Sequence, residues 1–268
     1  KMDIFKGDIS NKENLKNTFI EFKPDIIFHL AGYGVQVAEN NIDKAIETNI
    51  IGTTNVIRLA KDIGCKRIVN IGTCAEYGDS KETLSENTCV HPINIYGSSK
   101  AAATIIGHQI AKENEIDMIT LRLFGVFGES EPRHKIFCNT ILTLLEEKDM
   151  MLTSCTQYRD YCYVGDIVRA MIMAVENTEV KNEIFNVGTG NGSPLRYYLE
   201  RIHKILGSSQ KLLFGHIENR KNELWFPNPD ISKIKTMLGW EPIFKLDDSI
   251  EKTISWYAEN KHYYMGLH

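Results

Sequence analysis

The sequence predicts an α/β fold built on a doubly wound parallel sheet, and three observations carry that prediction. Short β-branched runs alternate with segments of helical periodicity through the first half of the chain, the pattern of successive βαβ units. Those runs read as apolar on both sides, as strands do when helices cover both faces of a sheet. At 268 residues the chain can bury a large core and still carry a smaller second lobe.

The elements follow in order. "MDIFKGDIS" (2–10) reads as a strand running into a loop, and "DIIFHLAG" (25–32) as a short strand ending in small residues. "DKAIETNIIGTTNVIRLAKDIG" (43–64) spaces its apolar residues as a helix does, with Gly64 placed to end it. "KRIVNIGT" (66–73) is a further strand, followed by an irregular loop and a helix over 96–113. "MITLRLFGVFG" (118–128) is a strand that breaks at Gly125. Then the character changes. "ESEPRHK" is a polar loop, 136–148 a helix, and "YRDYCYVGDIVRAMIMAVEN" a loop, short strand and helix. "EIFNVGTG" (183–190) is another strand, and helices are predicted over 194–206, 230–238 and 247–258.

Composition excludes several functions. The chain is 43% hydrophobic and 25% charged, with a net charge of −4. No apolar run is long enough to cross a membrane, and no Lys/Arg block suggests a nucleic-acid surface. Cys65, Cys74, Cys89, Cys138, Cys155 and Cys162 are scattered without CxxC spacing, which reads as reduced thiols in a cytoplasmic protein. The histidines form no HExxH or His/Cys cluster, so no metal site is expected.

The chemistry concentrates in "INIYGSSKAA" (93–102), where Tyr96 and Lys100 lie four residues apart on one helix face. A free tyrosine titrates near about 10, too high for a base at neutral pH. A lysine ammonium one turn away and the positive end of the helix would both favour its phenolate. Thr73, at the C-terminal end of a parallel strand, is placed to orient a substrate oxygen at the sheet edge where ligands of such folds bind. The trio can move a proton to or from a sugar hydroxyl or ketone while a nicotinamide carries the hydride. A YxxxK spacing also arises by chance, with no role beyond packing.

The segments "GDIS", "IFHLAG", "ETNIIGTTNV", "RIVNIGTCAEYG", "HPINIYGSSKAA", "LRLFGVFG", "YRDYCYVGDIVRA", "FNVGTG", "NRKNE" and "LGWEP" resemble, in this order, the extended short-chain dehydrogenase/reductases that act as nucleotide-sugar epimerases, dehydratases and reductases. The resemblance spans essentially the whole chain. It implies that Tyr96 is the catalytic acid or base, that Lys100 lowers its pKa and holds the nicotinamide ribose, and that Thr73 binds the substrate oxygen. It also implies a cofactor, NAD or NADP, contacted by Asp8, Ile9, Leu30, Ala31, Gly32, Asn49, Ile71 and Leu123 besides Tyr96 and Lys100. Asn49 reads equally as a polar residue bonding backbone. A nucleotide sugar would lie against Thr73, Cys74, Ala75, Gly125, Arg159, Arg220 and Glu223, with the two arginines on its diphosphate. The implied division is a dinucleotide-binding domain (1–128 and 156–190) and a nucleotide-sugar-binding lobe (129–155 and 191–268). A homodimer is expected through the helices at 43–63 and 96–113.

Departures from the pattern sharpen the reading. Relatives open with a strand, a GxxGxxG turn and a helix, and nothing at this N-terminus matches; "VGTGNG" (187–192) lies far along the chain. A first βαβ unit of roughly 30 residues is therefore expected to precede Lys1 in the natural protein. The segment that separates NAD from NADP would fall there. The 4,6-dehydratases carry Asp-Glu after the threonine; Cys74 and Ala75 stand here, which disfavours water elimination. Cys74 is one position earlier than the cysteine of the reductases that also epimerise, would point to the other side, and reads as packing. Gly125 replaces the asparagine usual after "RLF". The C-terminal stretch "LLFGHIENRKNELWF…LGWEP" most resembles the CDP-abequose synthase type. The expected function is reduction of a nucleotide-linked 4-keto-6-deoxyhexose, with a C4 or C2 epimerase holding its NAD tightly as the alternative. A non-catalytic dinucleotide-binding relative is the lesser one.

Overall fold

The computed structural model describes residues 3–36, 39–219 and 224–264. Its centre is a four-stranded, fully parallel sheet in the order β1-β2-β3-β8. These strands are β1 (Ile26–His29), β2 (Arg67–Thr73), β3 (Asp117–Leu123) and β8 (Ile184–Val187). The register pairs Thr73 with Leu123, so the C-terminal ends of the two central strands lie level.

Each helix has a local cause. Asn11 caps α1 (Lys12–Phe22) by accepting the Asn14 N–H. Asn41 opens α2 (Ile42–Ala45), which runs through a π-helical stretch, Ile46–Gly52, into α3 (Thr53–Ile63). Gly64, at φ 75°, ends this helix as expected. Asn94 accepts the Gly97 N–H at 2.8 Å and so starts α4 (Ile95–Glu113) one residue before Tyr96. Helices α3 and α4 cover one face of the sheet. The other face is covered by α6 (Val164–Glu176) and α8 (Ser232–Leu238). The doubly wound architecture is thus present.

A second core belongs to α5 (Ile136–Leu145), α7 (Leu195–Leu206) and α9 (Leu246–Asn260), built around Phe137, Ile141, Leu199, Ile250 and Tyr257. Short pairs complete the fold: β4 (Gly125–Phe127) with β7 (Tyr161–Tyr163), β5 (Met150–Met151) with β10 (Leu212–Leu213), and β6 (Tyr158–Arg159) with β9 (Ser193–Pro194).

Two readings of the sequence need revision. Residues 3–8 form no strand, because a strand exists only through a ladder and no described strand lies beside them. The central strands are not apolar on both sides. Asn70, Thr120, Arg122 and Asn186 form a buried polar seam, tied through His108, Glu76 and Tyr77. Within the segment assigned to the lobe, Ile234, Leu238 and Trp240 share the core of the sheet. Asp166 holds them there, its carbonyl accepting from the Trp240 indole and its carboxylate from the Ile243 and Phe244 N–H groups.

Candidate active site

Strand β2 ends at Thr73 and the chain turns at once into a short 3₁₀ segment, Cys74–Glu76. The turn is fixed reciprocally: the Thr73 hydroxyl accepts the Ala75 N–H (3.3 Å), and Glu76 Oε1 accepts the Thr73 N–H (3.0 Å). Glu76 is fully buried, and its Oε2 accepts from Arg122 Nε at 2.8 Å. Arg122 stacks on the Tyr77 ring, 4.5 Å from its centroid. A buried ion pair therefore holds the residue expected to orient the substrate, and the sequence reading had not singled it out.

Across from Thr73 stands the first turn of α4. A β-carbon built on Gly97 would lie 2.3 Å from the Ala75 carbonyl oxygen, so glycine is needed for this close approach. Tyr96 and Thr73 both line a cleft of about 840 Å³ at the C-terminal edge of the sheet. Burial pushes the Tyr96 phenol up to about 12, against a hydrogen bond from Thr73 that works the other way. Lys100 is buried, and its ammonium donates to the Ile71 carbonyl at 2.6 Å. Burial lowers its pKa and Glu76 opposes that. Burial is the largest influence on the phenol here and raises its pKa rather than lowering it.

Asn49 is 1% exposed and fully engaged. Its Oδ1 accepts the Tyr33 N–H, and its Nδ2 donates to the Tyr33 carbonyl and to Ser99 Oγ. It braces the loop after β1 against α4, from within the π-helical stretch. Such bulges collect at functional sites, and no periodicity in the sequence announced this one.

The other predicted positions divide. Ile71, Cys74, Ala75, Leu123 and Arg159 line the cleft with Thr73 and Tyr96. Gly125 lines a smaller cavity of about 210 Å³ shared with Cys74 and Arg159. Arg159 donates to the Leu224 carbonyl at 2.6 Å. Leu30, Ala31 and Gly32 are exposed just past β1, on the loop that enters the cleft at Gly34. Asp8 and Ile9 are not on the cleft wall. Asp8 accepts from the Ser10 N–H and hydroxyl, and Ile9 packs against Gly52. Arg220 and Glu223 lie outside the described residues.

Cys74 lines both cavities and also packs against Tyr77, Leu84 and Phe124, as its reading as a packing residue expected. Its thiol, pushed up to about 11 by burial, is neutral. Glu131 and Lys135, unremarked in the sequence, line both cavities too.

The wall would suit the nicotinamide-ribose end of a dinucleotide, which Tyr96 would contact; Lys100 and residues 30–32, the other expected contacts, do not line the cleft. No glycine-rich turn for the diphosphate is present at the N-terminal end of these 268 residues. Among the described residues no group of His, Cys, Asp and Glu could hold a metal ion, and no helix is long and apolar enough to cross a membrane.

A family model described as the NAD dependent epimerase/dehydratase family matches residues 1–188. A UDP-glucuronate 4-epimerase of Thermodesulfobacterium geofontis is 29% identical over 262 residues, covering 96% of this chain and 80% of the relative. A dTDP-D-glucose 4,6-dehydratase of Dictyostelium discoideum is 25% identical, over 98% of this chain and 71% of the relative. Among solved structures, the UDP-glucose 4-epimerase of Thermotoga maritima with UDP-glucose superposes with a TM-score of 0.90 at 25% identity, covering 96% of this chain and 84% of that one. The UDP-glucuronic acid 4-epimerase of Bacillus cereus, in complex with UDP-glucuronic acid and NAD, gives 0.86 at 26% identity, over 95% and 81%.

Proposed function

The chain belongs to the NAD dependent epimerase/dehydratase family, and on that premise we propose that it is an NAD-dependent enzyme reducing the 4-keto group of a nucleotide-linked 4-keto-6-deoxyhexose. The observation that carries this reading is the pairing of Thr73 with a neutral Tyr96 in one cleft. A neutral phenol donates a proton, which is what a carbonyl oxygen requires as hydride reaches its carbon. The Thr73 hydroxyl would hold that oxygen, and the buried Lys100 ammonium would stabilise the phenolate left behind. NAD in its reduced form, when bound, supplies the hydride. Water elimination is disfavoured, since the positions after Thr73 hold a neutral thiol and a methyl group rather than carboxylates.

Arg159 would bind the diphosphate of the substrate, with Lys135 on the same wall. A tightly held NAD and an epimerase reaction form the second reading; epimerases stand among the relatives beside dehydratases. A homodimer is also proposed. Ile42, Ile46 and Ile51 on the helix before β2, and Ile95, Ile105 and Ile106 on α4, are exposed, an apolar face suited to a second copy.

Denaturing the purified protein and identifying any released nucleotide separates the two reactions. The reductase is expected to release little NAD and to consume NADH or NADPH only when a nucleotide-linked 4-keto-sugar is added. Stoichiometric bound NAD, with interconversion of a nucleotide hexose and no added nicotinamide, would replace it with the epimerase.

A further inference from the structure

Glu131 has no part in the reaction just described, yet its position is built. The loop that carries it is anchored to the second core. Its N–H donates to the Tyr257 hydroxyl (3.0 Å), and its carbonyl accepts from the Tyr264 hydroxyl (2.9 Å). Tyr257 is itself fully buried. The residue lines the cleft that holds Thr73 and Tyr96 and also the smaller cavity beyond Cys74. Among the described residues its Oε2, shielded from solvent, has no hydrogen-bond partner. Glu76 and Asp160, the other buried carboxylates of this region, have both oxygens engaged by the protein.

A desolvated acceptor without a partner costs about 1–3 kcal/mol, so the group calls for an explanation. One is structural: the carboxyl faces the Cys138 N–H in the first turn of α5, where an acid favours the helix. That contact leaves Oε2 without a partner. Burial pushes Glu131 up to about 7, with Lys135 and the Cys138 N–H working in the opposite sense. Such a group is poorly matched to a phosphate and well matched to a hydroxyl.

Resting on the nucleotide-sugar reading, we propose that Glu131 is a specificity-determining residue: its carboxyl group accepts a hydrogen bond from a hydroxyl of the hexosyl unit and disfavours a sugar bearing its own carboxylate. Neutral hexoses are then selected over hexuronic acids by one side chain at the junction of the two cavities.

Titration calorimetry on the full chain tests this. UDP, dTDP, CDP and GDP first establish the preferred base, and the glucose and glucuronic acid esters of that nucleotide then compare the sugars. Wild type should bind the glucose ester more tightly. Glu131→Gln, which keeps an acceptor and removes the charge, should improve glucuronate binding about tenfold and leave the glucose ester and the free diphosphate unchanged. Glu131→Asp, which keeps the charge and withdraws the oxygen, should weaken the glucose ester about tenfold and leave the free diphosphate alone. Equal effects on the sugar ester and the free diphosphate, or a lowered melting temperature with no change in binding, would reduce Glu131 to a helix cap and overturn the proposal. Wild type that binds none of these nucleotides would overturn the nucleotide-sugar reading first, and this assignment with it.

Discussion

Thr73 ends a strand and begins a turn, and both roles depend on Glu76. Removing one partner of a buried ion pair leaves an uncompensated charge, here on Arg122. Glu76→Ala should therefore lower stability by about 3–5 kcal/mol, measured by denaturant unfolding. A loss under 1 kcal/mol, on the order of a surface ion pair, would show that the pair carries no weight. Two buried histidines make a different statement. His29 bonds to Thr53 and His108 to Thr120, and burial lowers each to about 4. In the unfolded chain a histidine titrates near about 6.5. Below that pH the unfolded state gains protons the folded state refuses, so these two sites lose stability as pH falls from about 6.5 towards 4. Proton NMR at pH 5.5, roughly one unit below the free value, should find both rings neutral; a charged ring at that pH would contradict their burial.

At the scale of the element, the site depends on how closely α4 approaches the turn after β2. Gly97→Ala forces the helix off the Ala75 carbonyl. The expected cost is about 1–3 kcal/mol in stability and more than tenfold in kcat/KM, because misplacement by about 1 Å can cost roughly 10²-fold. Wild-type kinetics in this variant would show that the helix-to-turn spacing is not part of the machinery. Part of this scale was legible beforehand: Gly64 ends its helix by local chemistry, and local chemistry is written in adjacent residues. The π-helical stretch was not, and the strand read in 2–10 forms no ladder among the described residues, because strand pairing depends on partners distant in sequence.

For the molecule as a whole, parallel strand ends, two helical layers and the placing of Thr73 and Tyr96 at one sheet edge could be read from periodicity and order. Glu76 and Glu131 could not, since an acidic residue in a loop looks the same whether it faces water or a buried arginine. The exposed isoleucines of α2 through α4 make an assembly prediction. Sedimentation equilibrium should give twice the 30.6 kDa of one chain, and Ile106→Asp should give the single mass. A monomeric wild type would withdraw the homodimer.

The most direct measurement is the turnover of Tyr96→Phe on whichever nucleotide-linked hexose the wild type accepts, followed by nicotinamide absorbance. Loss of the proton donor should lower kcat by roughly 10²–10⁴-fold with little change in KM or melting temperature. A phenylalanine variant working at the wild-type rate would show that the proton moves by another route and that this cleft is not the reactive centre.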